Sequence, residues 1–288
     1  MKTKLGTCWE RTGGRMKKLL SLLIGIMICA PAMASIGVSP TKLEIDANKI
    51  KTNYATTAIE IKGDAQKPMR FKAYTGYFKI NEKAEVILIE KSDEPQNIAK
   101  KVRFVPSEFT VAPGKSQKLR VNIANINTLP DGESRAMLYI EDVNPQEYAM
   151  PLADGIGAQL LVKTRVGVPI YVDKGKVNKV GEIETFEVIK QKDGYYTKMK
   201  ILSKGNAKIR CNTRVQVIRG KKLVCEYGLD EKVVGENNYH VDIQKMNLKN
   251  VMEPGEYTVR AVMTYTDGNG NRKNVKKETV FNIVNGEL

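Results

Sequence analysis

Hydrophobic and polar residues alternate along most of the chain from residue 36 onward, in short runs that end at turns rich in glycine and proline. Alternate residues of a strand point to opposite faces of a sheet, so each run predicts a half-buried strand. Helical periodicity is scarce. Many short strands separated by frequent turns predict an all-β protein built as antiparallel sandwiches. A chain of 288 residues is long for one sandwich and sufficient for two domains.

The predicted strands divide into two sets, separated by a hinge at 171–176. The first set lies at 36–45, 57–61, 69–73, 86–89, 102–104, 119–123, 136–140 and within 152–172. The second set lies at 185–188, 196–202, 213–218, 223–227, 239–243, 258–265 and 279–284. We therefore expect an N-terminal domain at 35–172 and a C-terminal β-sandwich domain at 173–288.

The first 34 residues are typical of a secretory signal peptide rather than of folded structure. A basic stretch at 16–18 precedes an apolar run at 19–29, and Ala32-Met33-Ala34 has the small-x-small pattern of a cleavage site. We predict cleavage after Ala34, with residues 1–15 as an upstream extension. The apolar run is too short to span a bilayer. No later segment is apolar enough to do so, and an exported, soluble protein is expected.

The charge of the chain favours acidic partners without indicating nucleic acid. The whole sequence has a formal net charge of +15, and without residues 1–34 it has 41 basic and 31 acidic residues, a net charge of +10. The lysines are spread along the predicted strands and do not form a cluster. For an exported protein this balance indicates solubility and attraction to acidic surfaces, and we predict no nucleic-acid partner.

The segment 152–172, LADGIGAQLLVKTRVGVPIYV, carries the most functional information. Ile156, Ala158, Leu160 and Val162 stand at every second position and would form an apolar row on one face of a strand. Lys163 and Arg165 follow directly. A strand with an apolar row and a basic end can pair with a strand of another chain and hold an anionic group. The alternative is that the row faces the core of its own domain.

Motifs for catalysis or metal binding are not found. The single histidine, His240, is two residues from Asp242 in a predicted strand, where a structural or exposed role is favoured over catalysis. One histidine and two distant cysteines do not match the usual spacing of a zinc site. The acidic and glycine-rich stretch at 267–271 is read as a hairpin turn rather than a calcium loop. We predict no enzyme activity, no metal and no cofactor.

Cys211 and Cys225 are the cysteines that remain after the predicted cleavage. They flank a predicted hairpin in which Cys225 faces Gln216, which places Cys211 roughly 16 Å from Cys225 along the strand. A disulfide requires Cα atoms within about 7 Å. A bridge would need a different register or a different strand for Cys211. The alternative is a pair of small buried thiols.

Three segments together resemble the periplasmic pilus (fimbrial) chaperones, the PapD-like family. They are TVAPGKSQKLRV at 110–121, LPDGES at 129–134 and the end of the alternating segment at 161–171. The resemblance covers 36–172. It implies two immunoglobulin-like domains with a cleft between them, and a non-enzymatic periplasmic chaperone. Proteins of this family insert a strand into pilus subunits that lack one, and deliver the subunits to an outer-membrane usher.

The resemblance also implies roles for individual residues. Two basic residues of the family anchor the C-terminal carboxylate of the subunit. The first position falls on Lys42, where the family usually has arginine, and the second falls on Gly167, so Arg165 is taken as its substitute.

Three further positions match a charged network that steadies the interface between the domains of the family. These are Arg120, Glu133 and, from the second domain, Asp267.

Two other functions remain open from the sequence. A structural or adhesive surface protein could also consist of tandem sandwiches. A pilus subunit should carry an N-terminal extension, whereas here the first predicted strand begins two residues after the cleavage site. A periplasmic enzyme or ligand carrier would need clustered polar residues, which the sequence does not display.

Overall fold

Strands dominate the computed structural model, which describes residues 36–144, 146–151, 157–246, 248 and 253–284. Within these residues there are twenty strands and three 3₁₀ turns, at Ala47–Lys49, Ala99–Lys101 and Ile126–Thr128. The all-β prediction is therefore confirmed. No helix in the described part of the chain is long and apolar enough to cross a membrane. The predicted signal peptide and its cleavage site lie outside the described residues.

The first sandwich consists of a four-stranded and a six-stranded sheet, accompanied by a separate two-stranded hairpin. Its strands are β1 (Gly37–Ser39), β2 (Leu43–Asp46), β3 (Tyr54–Lys62), β4 (Met69–Ile80), β5 (Val86–Ile89), β6 (Val102–Val105), β7 (Glu108–Val111), β8 (Ser116–Ala124), β9 (Gly132–Asp142), β10 (Gln146–Pro151), β11 (Gly157–Val162) and β12 (Arg165–Lys174). The four-stranded sheet has the order β1-β3-β8-β6. The six-stranded sheet has the order β2-β12-β9-β4-β5, with β7 also paired to β4, and the hairpin consists of β10 and β11.

The second sandwich consists of a three-stranded and a five-stranded sheet. Its strands are β13 (Gly181–Gln191), β14 (Gly194–Ser203), β15 (Ile209–Arg219), β16 (Lys222–Gly228), β17 (Lys232–Val234), β18 (Asn238–Lys245), β19 (Gly255–Thr266) and β20 (Arg272–Ile283). The orders are β13-β14-β18 and β16-β15-β19-β20, with β17 also paired to β15. The predicted hairpin turn at 267–271 joins β19 to β20.

Alternation along the strands places one apolar row from each sheet in the core. In β8, Leu119, Val121 and Ile123 are fully buried, and they belong to the same cluster as Val168 and Ile170 of β12 in the facing sheet. A separate cluster fills the second sandwich. Each sandwich therefore has its own hydrophobic core, as expected for packed sheets that are apolar on their inner faces.

Two predicted strands are divided in the structure. The strand expected at 36–45 breaks near Pro40, so β1 joins the four-stranded sheet and β2 joins the six-stranded sheet. Proline has no N–H to donate to a sheet ladder, which favours a break at that point. The segment 152–172 is divided into β11 and β12. Since β12 continues to Lys174, the connection between the sandwiches lies at 175–180.

The two cysteines are not joined by a disulfide, so the bridge considered from the sequence is not formed. Cys225 pairs with Val217, one residue from the predicted register, because the β15–β16 ladder is irregular after Val217. Cys211 lies six residues earlier on β15, about 20 Å away at the rise of a strand. There it is buried beside β17 and β19, and burial raises the pKa of its thiol to about 12.

Candidate binding site at a separate hairpin

The β10–β11 hairpin continues the ladder of β9 and β12 but belongs to neither sheet of the sandwich. The β9–β12 ladder begins with Arg165 opposite Glu141. The β10–β11 ladder runs from Val162 opposite Gln146 to Gly157 opposite Pro151. In the described part of the chain, β11 pairs with β10 alone. Its second edge is therefore a row of backbone N–H and C=O groups with no strand beside it.

The predicted apolar row lies partly on this hairpin. Ile156 is outside the described residues. Ala158 and Leu160 take alternate positions of β11, opposite Met150 and Tyr148 respectively. Val162 ends β11 with a side chain that is 37% exposed, and its neighbour Leu161 is 58% exposed.

Arg165 lies at the base of the hairpin, against aromatic side chains on the outer face of the six-stranded sheet. Its Nη1 donates to the hydroxyl oxygen of Tyr74 at 3.1 Å, and its guanidinium lies 4.9 Å from the ring centroid of Tyr139. A guanidinium over an aromatic face is held by the negative charge of the ring face. The position of this exposed cation is thus set by contacts with β4 and β9.

Glu141 is the acid closest to this arginine along the ladder, and other groups bind it. Lys163 forms an ion pair with Glu141, and the Tyr74 hydroxyl donates to its Oε2 at 2.6 Å. The hydrogen bonds from Lys163 and Tyr74 lower the pKa of Glu141. An anion from another molecule that approached this site would meet two cations. Arg165 lies against Tyr74 and Tyr139, and Lys163 is paired with Glu141.

Gly167 stands at the second basic position of the resemblance, and neighbouring side chains fill the space in front of it. An added Cβ at this residue would lie 2.9 Å from Sδ of Met137, which is closer than Cβ atoms normally approach another side chain. Met137 and Tyr139 of β9 occupy the space in front of β12 at this point. A lysine or arginine could not stand there without moving them.

Lys42 and Arg165 are not brought side by side. Leu43 pairs with Ile170, so Lys42 lies beside Pro169, four residues and about 13 Å along β12 from Arg165. The Lys42 side chain is 41% exposed, with Nζ 3.8 Å from Oε1 of Glu44. The two side chains would have to extend toward each other along β12 to share one carboxylate.

Further along the same outer face, the sheet meets the second sandwich through buried charges. Glu133 is fully buried, and Lys208 of the second sandwich donates to its Oε2 at 2.7 Å. Lys208 Nζ also lies 3.3 Å from the ring centroid of Tyr171. Burial raises the pKa of Glu133 and lowers the pKa of Lys208, while their attraction favours the charged form of both.

The buried side chain of Arg135 reinforces this interface. Arg135 is 1% exposed, its Nε lies 3.7 Å from Oε1 of Glu133, and its Nη2 forms an ion pair with Glu236 of the second sandwich. The backbone contributes as well, since the N–H of Glu133 donates to the carbonyl oxygen of Asn206 at 3.0 Å. The two sandwiches are therefore joined by directional contacts that specify their register against each other.

The predicted network of Arg120, Glu133 and Asp267 is not assembled as a unit. Arg120 is an exposed residue of β8, in the four-stranded sheet. Asp267 accepts from the backbone N–H groups of Asn269 and Asn271 and holds its own hairpin turn. Glu133 alone has the predicted location at the interface, and in the described residues its ion-pair partners are Lys208 and Arg135.

The turn after β4 makes a further contact with the second sandwich. Asn238 Nδ2 donates to the carbonyl oxygen of Ile80 at 2.8 Å, and Nδ1 of His240 lies 2.9 Å from the carbonyl oxygen of Glu82. His240 is 5% exposed and its Nε2 lies 3.8 Å from Asp242. The histidine is therefore placed to position a turn, in accord with the structural role expected for it.

Sequence reasoning missed Arg135, Lys208, Glu236, Tyr74 and Tyr139. One signal was present for Arg135, a charged residue within the otherwise buried strand β9, where an unpaired charge is costly. Their partners are distant in sequence, with 75 residues separating Glu133 from Lys208. In the described part of the chain, no group of three or more histidine, cysteine, aspartate or glutamate side chains is arranged to hold a metal ion.

Comparisons with known proteins find similarity to solved structures. The chain is similar to the YadV chaperone, with a TM-score of 0.44 and 9% identity over 85% of this chain and 99% of that chain. It is similar to the CsuC–CsuE chaperone–tip adhesion subunit pre-assembly complex from archaic chaperone-usher Csu pili of Acinetobacter baumannii, with a TM-score of 0.44 and 13% identity over 84% and 98%. It is also similar to the Salmonella enterica SafA pilin in complex with the SafB chaperone, with a TM-score of 0.41 and 11% identity over 86% and 96%.

No protein-family model matches the sequence, and no curated protein matches it either. At these identities and TM-scores, a function has to rest on the geometry of the chain itself.

Proposed function

We propose that this protein is a periplasmic chaperone that binds pilus subunits and lends them a strand. One observation carries the proposal. The strand β11 lies on a hairpin outside both sheets of its sandwich, with one backbone edge unpaired in the described residues and with basic residues at its end. An unpaired edge of this kind can be extended by a strand from another chain.

The location of the hairpin bears on the alternative that the apolar row faces its own core. A strand that contributes to the core of a sandwich is a member of one of its two sheets. In the described residues, β11 pairs only with β10, and the exposed side chains of Leu161 and Val162 end the strand. This placement supports a row that is presented to another molecule. Alternating apolar residues would then fix the register of the added strand, because a slip by one residue turns every side chain to the other face.

The basic end of β11 supplies an anchor for the carboxylate at the C-terminus of a subunit. Arginine has five N–H donors, and the hydrogen bond from Arg165 to Tyr74 uses one of them. A carboxylate can accept two parallel hydrogen bonds from a guanidinium. We assign the main contact to Arg165 and a supporting electrostatic contact to Lys42, which lies beside Pro169, further along β12.

The partners and location follow from the same proposal. The predicted signal peptide would export the chain to the periplasm, where subunits await assembly. The chain would bind pilus or fimbrial subunits and pass them to an outer-membrane usher. Binding and release of a strand need no chemical step and no cofactor, so the proposal includes no catalysis.

Co-purification from periplasm tests the proposal. The protein would be co-expressed with exported, β-rich proteins encoded beside it, and we expect a one-to-one complex with a subunit. Leu160→Asp places a charge within the apolar row and should abolish the complex. Leu223→Asp is the matched control, because Leu223 is 50% exposed on the edge strand β16 of the second sandwich.

A double variant, Lys42→Ala with Arg165→Ala, tests the anchor separately. Loss of the complex in this variant supports the anchor. A complex that survives both substitutions would leave the chaperone proposal standing but show that these two residues are not its anchor. Failure to recover any complex, or an effect of Leu223→Asp as large as that of Leu160→Asp, would favour the structural or adhesive sandwich protein.

A further inference from the structure

The strand β5 presents a second unpaired edge, on the opposite side of the six-stranded sheet from β2. β5 ends the order β2-β12-β9-β4-β5, and in the described residues it pairs with β4 only. Val86, Ile87 and Leu88 are exposed to 47%, 42% and 45%. Edge strands in soluble proteins are usually protected by lysine, proline or an irregular backbone. All four residues of β5 are apolar.

Both faces of β5 are apolar, and neither face is fully covered by the rest of the sandwich. Leu88 stands opposite Phe78 of β4, a fully buried residue on the outer face of the sheet. Ile87 stands opposite Lys79, on the other face. An additional strand beside β5 would therefore gain apolar cross-strand contacts on both faces at once.

The sequence on either side of β5 is complementary to itself in the antiparallel direction. When the segment 85–91, EVILIEK, is paired with a second copy centred on Leu88, Ile87 faces Ile89 and Leu88 faces Leu88. In the same register Val86 faces Glu90, and Glu85 faces Lys91. The Glu85–Lys91 pair occurs twice because the two copies are related by a two-fold axis.

The charges select this register over its neighbour. A pairing centred between Ile87 and Leu88 would place Glu85 opposite Glu90, and like charges directly opposite each other are destabilising. Glu85 is placed to pair with Lys91 of a second copy, since it is exposed directly before β5. Asn81 Nδ2 donates to its Oε2 at 2.9 Å. Lys91 is exposed beyond the other end of β5.

We propose that two copies of this chain associate through antiparallel pairing of their β5 strands about a two-fold axis at Leu88. The pairing joins two six-stranded sheets edge to edge and satisfies the outer backbone groups of both β5 strands. The contact is smaller than the roughly 1,600 Å² of a standard stable interface. The dimer is therefore weak and depends on protein concentration.

Sedimentation equilibrium of the protein purified from periplasm, over a series of concentrations, measures the association. We expect reversible dimerisation that Leu88→Glu abolishes, because two carboxylates would meet at the two-fold axis. Leu223→Glu, on the edge strand β16, is the matched control and should leave the dimer unchanged. Lys91→Glu should weaken the dimer about tenfold, since two attractive pairs become two repulsive ones. Glu85→Lys combined with Lys91→Glu should restore it.

Cross-linking tests the register. Leu88→Cys should form a disulfide-linked dimer with itself, since this residue faces its own copy across the axis. Ile87→Cys and Ile89→Cys should cross-link to each other in a mixture and much less to themselves. The unmodified chain, which retains Cys211 and Cys225, provides the background level.

Three results would overturn the proposal. The first is a protein that stays monomeric at every concentration. The second is a dimer that survives Leu88→Glu, or one that Leu160→Asp removes instead, which would place the contact at the β10–β11 hairpin. The third is a monomeric protein whose subunit complex is lost in Leu88→Glu, which would assign the β5 edge to the subunit. Self-association is measured without a subunit, so its outcome is independent of the chaperone proposal.

Discussion

The ion pair between Glu133 and Lys208 gives a quantitative test of how the two sandwiches are joined. The Glu133 side chain is fully buried, the Lys208 side chain is 6% exposed, and Nζ lies 2.7 Å from Oε2. Removing one partner of a buried pair typically costs about 3–5 kcal/mol, because the other charge remains without its partner in a poorly solvated site. Lys208→Met should therefore lower the free energy of unfolding substantially.

The remaining neighbours set where in that range the loss falls. After Lys208→Met, Glu133 retains Arg135, whose Nε is 3.7 Å from Oε1 and makes no hydrogen bond to it. A counter-ion at that distance compensates in part, and we expect a loss of about 3 kcal/mol. Glu133→Gln should cost less than this, since Lys208 retains Glu44 at 3.8 Å. The double variant should cost clearly less than the sum of the two, with a coupling energy of about 2 kcal/mol.

Urea denaturation monitored by circular dichroism measures these differences. Lys198→Met is the control, because Lys198 forms a 2.9 Å ion pair with Glu187 in which both side chains are 43–50% exposed. Exposed pairs contribute about 0–1 kcal/mol. If Lys208→Met costs no more than Lys198→Met, or if the effects of the two interface substitutions simply add, the buried pair does not hold the interface as described.

Three further predictions concern single residues. Gly132→Ala should destabilise the fold by about 2 kcal/mol or more and Gly220→Ala by less in the same urea assay. Backbone φ is positive at both glycines, but only at Gly132 would the new Cβ collide with a backbone carbonyl oxygen, that of Asn206. Burial opposes but does not prevent the lowering of the Asp242 pKa by its basic neighbours. Its contribution to stability should therefore be present above about pH 4 and lost as the pH falls below that value. Asp242→Asn should make the urea midpoint depend less on pH in this range. A thiol reagent should label the half-buried Cys225 in the native protein at about pH 8 but reach Cys211 only in denaturant, and labelling of both at equal rates would contradict the burial of Cys211.

Local patterns account for the parts of the fold that the sequence predicted well. The alternation of Leu119, Val121 and Ile123 follows directly from the two-residue period of a strand with one buried face, and all three are fully buried. The hairpin turn at 267–271 was predicted from its glycine-rich sequence, and in the structure Asp267 accepts hydrogen bonds from the backbone N–H groups of Asn269 and Asn271 within it.

Contacts between distant segments account for what could not be predicted. The position of Arg165 depends on Tyr74, 91 residues earlier, and nothing in either segment indicates the other. Gly167 reads as a missing basic residue in the sequence, and only the structure shows that a side chain there would have to displace Met137. The register of Cys225 was wrong by one residue because an irregularity in a ladder leaves no clear mark in the sequence.

The strand β12 fixes the distance between the hairpin and the interface of the sandwiches. It runs without interruption from Arg165 to Asp173, which forms a 2.6 Å ion pair with Lys179, and these eight steps span about 26 Å. Both residues lie on the outer face, as do Gly167 and Tyr171 between them. Inserting or deleting one residue in β12 would turn one end of the strand toward the core. The number of residues in β12 should therefore stay constant among natural variants of this chain.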